Sequence, residues 1–260
     1  MHDTDHLKAP SPAALEVLGG DPAGCALFLD VDGTLLDIAP TPDQVVVPDG
    51  LVPMLMQIAA GLGGALAILT GRQLSEIDAL LAPARFPGGG VHGAELRLAA
   101  GAPIEHVVTA LPEALVDELN DLADRMPGIM AEPKGPGFAM HYRQAPDQKS
   151  VLEAEIVSLL TKYPDDLVLC PGRKLFEIIP EGLSKGTALD KLAALPPFAG
   201  RKPVMIGDDA GDVPALAEAV RLGGTGLRVA GEHFGHTHTD LAGPRGVHAW
   251  LQILSDRLNR

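Results

Sequence analysis

The sequence predicts an α/β fold in which a Rossmann-like parallel sheet carries a smaller inserted α+β unit. Three short apolar runs, at 25–30, 64–72 and 202–208, are each followed by a helical pattern. This alternation is typical of a parallel sheet covered on both faces. Between the second and third runs the pattern changes to helix-strand-strand, twice over, which indicates an insertion with its own small sheet.

The first half of the core contains two of the buried strands. The run CALFLD at 25–30 is apolar up to its last residue, as expected of a strand buried on both faces. Apolar residues at helical spacing predict a helix over 51–62, and GALAILTGR at 64–72 is the second strand. Ser75 is the predicted N-cap of the next helix, with Asp78 at its N3 position.

The inserted unit, residues 109–182, separates the two parts of the core, residues 1–108 and 183–260. Its helices and strands are predicted, in order, at 113–125, 129–133, 137–142, 150–161, 167–170 and 174–179. This order is typical of an α+β arrangement. The core then resumes with a third strand at 202–208 and helices at 212–220 and 246–258.

Composition and charge narrow the range of functions. The 260 residues carry a net charge of −14, which argues against nucleic acid and an anionic membrane surface as partners. No window reaches about 18 apolar residues, and the N-terminus has no secretory signal pattern, so we expect a cytoplasmic protein. Cys25 and Cys170 give neither a disulfide framework nor a zinc pattern. We expect a small-molecule substrate and a monomer or weak dimer.

Two carboxylates mark the end of the first strand, in LFLDVDGTLLD. Side chains two residues apart on an extended chain point the same way, so Asp30 and Asp32 can face one site. Like charges this close are costly unless a cation or a shared proton relieves them, and Mg²⁺ prefers oxygen ligands. A turn capped by these residues is the alternative. A calcium loop does not fit, because its twelfth position would be Thr41 instead of Glu.

A second acidic cluster, Asp208, Asp209 and Asp212 in MIGDDAGDVPA, ends the third strand. Ligands of parallel sheets bind at the carboxyl ends of the strands. We therefore expect this cluster and Asp30 to share one metal site. N-capping of the next helix by Asp212 is an alternative that can also hold alongside metal binding.

Two further residues offer contacts to an anion. Thr70, in ILTGR, precedes a flexible glycine whose neighbouring N–H groups could cradle an anion. Lys185 lies at a predicted helix N-terminus, where a bound anion would offset its conflict with the helix dipole. A solvated surface lysine is the alternative. A nucleophile, an acid, a hydroxyl, a lysine and metal-binding carboxylates together suit phosphoryl transfer.

These residues resemble a known family. DVDGT at 30–34, the strand-end Thr70, Lys185 and GDDAGD match, in order, the four motifs of the haloacid-dehalogenase-like phosphatases. GVHGAELR, EPKGPGFAMHYRQAP and LFEIIPEGLSKG further resemble the trehalose-6-phosphate phosphatases of that superfamily. The resemblance covers roughly residues 25 to 255.

The resemblance implies a Mg²⁺-dependent phosphatase that hydrolyses trehalose 6-phosphate through an aspartyl-phosphate. Asp30 would attack phosphorus, and Asp32 would protonate the leaving oxygen and then activate water. Thr70 and Lys185 would hold phosphate oxygens. The implied metal ligands are Asp30, the main-chain carbonyl of Asp32, and Asp208, with Asp209 and Asp212 in or behind the shell.

The resemblance also makes the inserted unit a cap that binds the sugar. Substrate contacts are implied for Gly71, Arg72, Glu132, Lys134, Arg143 and Glu177. Carboxylates and cationic donors suit the many hydroxyls of a disaccharide, although charges on surface strands are the alternative. His92 and Glu95, in GVHGAE, are expected to support the junction between the core and the inserted unit.

Some features leave other functions open. The family usually has Thr and Glu on either side of the last Asp of the fourth motif, where this chain has Gly211 and Val213. Missing partners near a metal alter its affinity, which leaves room for another sugar phosphate, a mutase or an inactive sensor. His233, His236 and His238 could bind a metal, but a Gly-rich surface loop is the favoured interpretation.

Overall fold

The computed structural model describes residues 9–39, 44–107, 111–163, 166–172 and 174–260, whose strands form two sheets. The helices are α1 (Pro12–Gly19), α2 (Leu51–Gly61), α3 (Leu74–Leu80), α4 (Glu113–Arg125), α5 (Lys149–Leu160), α6 (Lys185–Ala193), α7 (Val213–Arg221) and α8 (Gly243–Leu258). The strands are β1 (Cys25–Leu29), β2 (Leu66–Leu69), β3 (Gly88–Gly90), β4 (Glu95–Arg97), β5 (Glu105–His106), β6 (Met130–Lys134), β7 (Gly137–His141), β8 (Leu167–Gly172), β9 (Leu175–Pro180), β10 (Lys202–Gly207) and β11 (Thr225–Arg228). No helix within these ranges is long and apolar enough to cross a membrane.

The larger sheet brings the three predicted apolar strands side by side. Its order is β11-β10-β1-β2-β3-β4-β5. The pairs from β11 to β3 are parallel, whereas β4 and β5 are antiparallel additions. Because β1, β2 and β10 run in one direction, their carboxyl ends share an edge. Asp30, Thr70 and Asp208 follow these strands, so they lie along that edge, as the sequence predicts.

Apolar side chains cover both faces of the parallel strands. Phe28 of β1 packs on Phe198 with ring centroids 5.3 Å apart. Trp250 of α8 is fully buried, and its indole N–H donates to the Ala14 carbonyl at 2.8 Å. Each such buried side chain contributes about 1.5–3 kcal/mol. This two-sided burial explains why these strands are continuous apolar runs instead of alternating ones.

The inserted unit folds around a second apolar cluster. Its sheet has the antiparallel order β6-β7-β9-β8. Buried residues of α4, α5 and the strands form the cluster, including Leu119, Ile156, Phe138 and Phe176. The helix-strand-strand repeat is therefore observed in the predicted order. The predicted boundary near residue 109 lies outside the described residues, and the one near 182 falls between β9 and α6.

The start of α3 differs from the prediction. The helix begins at Leu74 after Gln73, so Ser75 is inside it and is not the N-cap. Glu95 of β4 satisfies the helix start instead, by accepting from the Leu74 N–H at 2.8 Å. Asp78 bonds the Arg97 guanidinium at 2.7 and 2.6 Å. A cap from a distant strand leaves no local sequence signal, so the local pattern around Ser75 predicted the wrong N-cap.

Candidate active site

Three buried carboxylates meet where β1 and β10 end. Asp30 follows β1, Asp208 follows β10, and Asp212 closes a 3₁₀ turn, Ala210–Asp212, before α7. One oxygen of each lies within 4.8 Å of the others. We call these three residues the acidic triad. Buried like charges at this spacing need a counter-ion, so the triad suits a hard divalent cation.

The turn that ends the triad also determines which aspartates belong to it. The Asp208 and Asp209 N–H groups both donate to Asp212 Oδ2 at 3.0 Å. The Asp209 carboxylate accepts from the Ala210 N–H at 2.7 Å. The structure therefore does not bring Asp209 into the triad, although it was a predicted metal ligand, because its carboxylate caps its own turn. Asp212 makes no side-chain cap to α7.

Gly33 shows how tightly the triad is enclosed. Its φ is +90°, and a Cβ there would lie 2.2 Å from Asp208 Oδ2. A side chain would fill the space that this carboxylate occupies. The neighbouring Thr34 hydroxyl donates to Asp208 Oδ1 at 3.3 Å. The glycine of DVDGT thus permits a close approach of two loops, which is a usual role for glycine at a positive φ.

Lys185 links two members of the triad. Ser184 and Thr187 form a capping box that begins α6, and this places the ammonium 2.6 Å from Asp30 Oδ1 and 2.6 Å from Asp212 Oδ1. Burial raises the pKa of Asp30 well above its usual range, Asp212 adds to this and Lys185 opposes it. Burial would lower the pKa of Lys185, but Asp212 and Asp30 outweigh it and raise it. Lys185 is buried, so the solvated-lysine alternative is wrong.

Asp32 also lines the cavity, but its side chain is bonded to Arg72. Its carboxylate accepts from Arg72 Nε and Nη2, both at 2.7 Å, and its side chain is 35% exposed. It is therefore not part of the triad, and only its main-chain carbonyl is left for the predicted metal role. Arg72, a predicted substrate ligand, holds Asp32 in this structure. The buried Thr70 hydroxyl accepts from the Arg72 N–H at 3.0 Å.

One cavity of about 380 Å³ joins the core and the inserted unit. The sequence-predicted site residues on its wall are Asp30, Asp32, Thr70, Gly71, Arg72, Glu132, Lys134, Arg143, Glu177, Lys185, Asp208 and Asp209. Asp212 lies behind it, fully buried. The structure thus brings every predicted substrate-binding residue to a single cavity, with the acidic triad at its core end.

Lys134 links the charged residues that the inserted unit contributes to the cavity. Its ammonium lies 3.4 Å from Glu177 Oε1 and 3.7 Å from Glu132 Oε2. It also donates to the Gly71 carbonyl of the core at 3.4 Å. Burial would lower the pKa of Lys134, but Glu177 and Glu132 outweigh it and raise it. Lys134 and Glu177 are buried, so the surface-charge alternative is wrong for these two residues.

Each glutamate of this group is also bonded to a histidine. His141 Nε2 lies 2.7 Å from Glu132 Oε2, and His92 Nε2 lies 2.5 Å from Glu177 Oε2. The His141 hydrogen bond lowers the pKa of Glu132 against the effect of burial. Burial would raise the pKa of Glu177, but His92 and Lys134 lower it to about 2. An ionised carboxylate only accepts, so both ring nitrogens act as donors.

Arg143 bridges the inserted unit and the core. Its Nη1 donates to the Ala39 carbonyl at 2.6 Å.

Gly211 and Val213, the two departures from the family pattern, differ in their surroundings. A Cβ on Gly211 would lie 3.3 Å from His92 Cε1, whereas Val213 is 44% exposed. The histidine ring thus occupies the space beside Gly211.

Some cavity residues were not predicted. Glu76, His141 and Cys170 line the wall. Glu76 lies in the first turn of α3, four residues after Arg72, with 3.9 Å between their charged groups. The side chain of His141, on β7, is hydrogen-bonded to Glu132 on the neighbouring β6. His233, His236 and His238 are exposed and lie between β11 and α8, which is the surface loop that the sequence favours.

The chain is similar in sequence and in fold to known proteins. Residues 28–230 match the family model described as trehalose-phosphatase. The chain is 39% identical over 236 residues to trehalose-6-phosphate phosphatase of Escherichia coli, covering 90% of this chain and 88% of that one. The C-terminal domain of Candida albicans trehalose-6-phosphate phosphatase has a similar fold, with a TM-score of 0.79 at 18% identity over 96% of this chain and 99% of that one. A phosphatase of the haloalkanoate (HAD) superfamily from Bacteroides thetaiotaomicron also has a similar fold. Its TM-score is 0.57 at 19% sequence identity, over 90% of this chain and 94% of that one.

Proposed function

Because the chain belongs to the trehalose-phosphatase family, we propose that it is a Mg²⁺-dependent phosphatase that hydrolyses trehalose 6-phosphate to trehalose and phosphate. One observation supports this above the others: Lys185 contacts two members of the acidic triad beside a cavity whose wall carries charged residues from the core and the inserted unit. Phosphoryl transfer depends on positioning and on neutralising negative charge, and this arrangement provides both.

In the first step Asp30 attacks phosphorus. A bond forms between its carboxylate oxygen and phosphorus while the bond to the sugar oxygen breaks. Asp32 gives its proton to the departing sugar oxygen. For this, Asp32 must free at least one oxygen from its two hydrogen bonds with Arg72. Arg72 thus holds the acid in place until the substrate is bound.

In the second step water completes the hydrolysis. Asp32, now ionised, takes a proton from water as the water oxygen bonds to phosphorus. The bond between phosphorus and Asp30 breaks, and the carboxylate is restored. Thr70 and Lys185 hold the phosphoryl oxygens in both steps. Mg²⁺, when bound by the acidic triad, would neutralise charge on the phosphoryl group.

The inserted unit, residues 109–182, serves as a cap over the core formed by residues 1–108 and 183–260. Glu132, Lys134, Arg143 and Glu177 bind sugar hydroxyls from this side. Their charges suit the task, because each ionised group forms a stronger hydrogen bond to a hydroxyl than a neutral one does, and two of them, Lys134 and Glu177, are buried. A cytoplasmic location and a monomeric or weakly dimeric state remain predictions from the sequence.

Phosphate release from a panel of substrates tests the proposal. The panel contains trehalose 6-phosphate, glucose 6-phosphate, sucrose 6-phosphate and p-nitrophenyl phosphate, each with Mg²⁺ and with a chelator. We expect a strong preference for trehalose 6-phosphate and loss of activity with the chelator. Asp30→Asn should abolish turnover with the fold intact, while Asp37→Asn, which changes an exposed aspartate of the same loop, should not.

Three results would contradict the proposal in different ways. Preference for another member of the panel would change the sugar. An isomerised product without phosphate release would indicate a mutase, which must keep the aspartyl-phosphate from water. Binding of trehalose 6-phosphate without turnover at saturating Mg²⁺ would indicate a sensor.

A further inference from the structure

His92 contacts three parts of the site at once. Its ring donates to Glu177 of the inserted unit at 2.5 Å. A Cβ on Gly71, in the loop after β2, would lie 2.9 Å from His92 Nε2. A Cβ on Gly211, in the turn that carries Asp212, would lie 3.3 Å from His92 Cε1. The ring therefore lies between the phosphate-side loop and the metal-side turn and points at the inserted unit.

The backbone under this ring is strained. His92 has φ 51° and ψ 33°, and the preceding Val91 has φ 45°. Left-handed backbone is uncommon for residues other than glycine and an outlier for a β-branched one. The strain is held by main-chain bonds, since the Val91 and His92 N–H groups donate to the Arg72 and Thr70 carbonyls at 3.0 and 3.2 Å. Strain of this kind concentrates at functional sites.

We propose that His92 is a positioning residue that fixes the carboxylate of Glu177 at the sugar end of the cavity and so sets selectivity for a disaccharide phosphate. The inference rests on the proposed function. Glu177 belongs to β9 of the inserted unit, whereas His92 belongs to the core. Lys134, whose ammonium lies 3.4 Å from Glu177 Oε1, belongs to the inserted unit as well. His92 thus ties the orientation of Glu177 to the loop that binds phosphate.

The position of Gly211 supports this role. The ring lies beside Gly71 and Gly211, where a side chain would begin 2.9 and 3.3 Å from its atoms. The family pattern has Thr where this chain has Gly211, and a larger residue there would press on the ring. Glycine at position 211 therefore affects the placement of His92 as well as the surroundings of the metal site.

His92→Asn tests the proposal. Asparagine tolerates left-handed backbone better than most residues, so the fold is kept while the shorter side chain cannot reach Glu177. Loss of a hydrogen bond to a charged group predicts a fall in kcat/KM for trehalose 6-phosphate of about 10- to 100-fold. For p-nitrophenyl phosphate, which has no sugar, kcat/KM should change little. In a Glu177→Gln background the same substitution should cost much less.

His248→Asn is the matched control. This change removes another partly buried ring, which donates to the Leu35 carbonyl at 2.7 Å, and it should leave the ratio of the two substrates unchanged. Thermal unfolding of each variant checks the fold. Equal losses of kcat/KM on both substrates in a folded His92→Asn protein would overturn this inference and leave the proposed function standing. Additive losses of kcat/KM for His92→Asn and Glu177→Gln would do the same. A wild-type protein inactive on trehalose 6-phosphate would overturn the proposed function, and this inference with it.

Discussion

Gly33→Ala tests how closely the acidic triad is built. Gly33 has φ +90°, and a Cβ there would lie 2.2 Å from Asp208 Oδ2 and 2.5 Å from Asp208 Cγ. Gly50, just before α2, has nearly the same φ, +83°, but among the described residues a Cβ there would meet no atom within 4 Å. Gly50→Ala is therefore a control that shares the backbone strain without the collision.

The expected effects of the two substitutions can be separated. Alanine on left-handed backbone costs about 1–2 kcal/mol of unfolding free energy at either position. At Gly33, the Asp208 carboxylate must also withdraw by about 1 Å to reach ordinary contact at 3.4 Å. A displacement of about 1 Å near a reacting group can lower the rate about 100-fold. We expect that loss in kcat/KM for Gly33→Ala and near wild-type activity for Gly50→Ala.

Two assays measure these effects. Urea unfolding gives the stability of each variant, and phosphate release over a Mg²⁺ titration gives kcat/KM and the half-saturating Mg²⁺ concentration. Gly33→Ala should need more Mg²⁺ as well as turn over slowly. Wild-type kcat/KM and Mg²⁺ dependence in Gly33→Ala would show that the position of Asp208 does not limit turnover, and equal losses of activity in both variants would show that backbone strain alone causes the loss.

Three further predictions concern the charged groups. Lys185→Met should lower the unfolding free energy in chelator by about 3–5 kcal/mol, because it leaves buried carboxylates without their partner, and added Mg²⁺ should recover part of the loss; an unchanged urea midpoint would contradict this. Arg72→Lys loses the two-pronged contact with Asp32, so kcat should fall more for trehalose 6-phosphate, whose leaving group needs a proton, than for p-nitrophenyl phosphate; equal losses would show that Arg72 does not act through the acid. The pKa of Glu177 falls from 4.5 to about 2 on folding, so its ionised form stabilises the fold above pH 4.5, and this contribution is lost as the pH falls towards 2. The destabilisation caused by Glu177→Gln, measured with urea, should therefore shrink on acidification from pH 5; a pH-independent difference would contradict the assignment.

The sequence predicted the elements that depend on local pattern. β1, β2 and β10 were recognisable because their side chains are buried on both faces, and α4 was found with its observed bounds, Glu113–Arg125. β3 was not predicted, since Gly88–Gly90 has no side chains to form a pattern. A Cβ on Gly88 would lie 2.3 Å from the Ile68 carbonyl oxygen. That close packing of main chains is a property of the folded sheet alone.

For the candidate site, the sequence predicted which residues lie together but not where their side chains point. Asp30, Thr70 and Asp208 could be placed together because the carboxyl ends of parallel strands meet. The direction of each side chain could not be predicted, because it depends on partners far away in sequence. Asp32 turns to Arg72, and Asp209 caps its own turn instead of joining the triad.

In the proposed mechanism, Asp30 carries the phosphoryl group during turnover. Asp32→Asn with p-nitrophenyl phosphate tests it most directly, because this leaving group needs no proton whereas hydrolysis of the intermediate still needs the base. Mass spectrometry of the protein after acid quenching should find a phosphoryl group on Asp30 in this variant and none in Asp30→Asn. Phosphorylation at another residue, or release of phosphate by Asp30→Asn at the wild-type rate, would show that Asp30 is not the nucleophile.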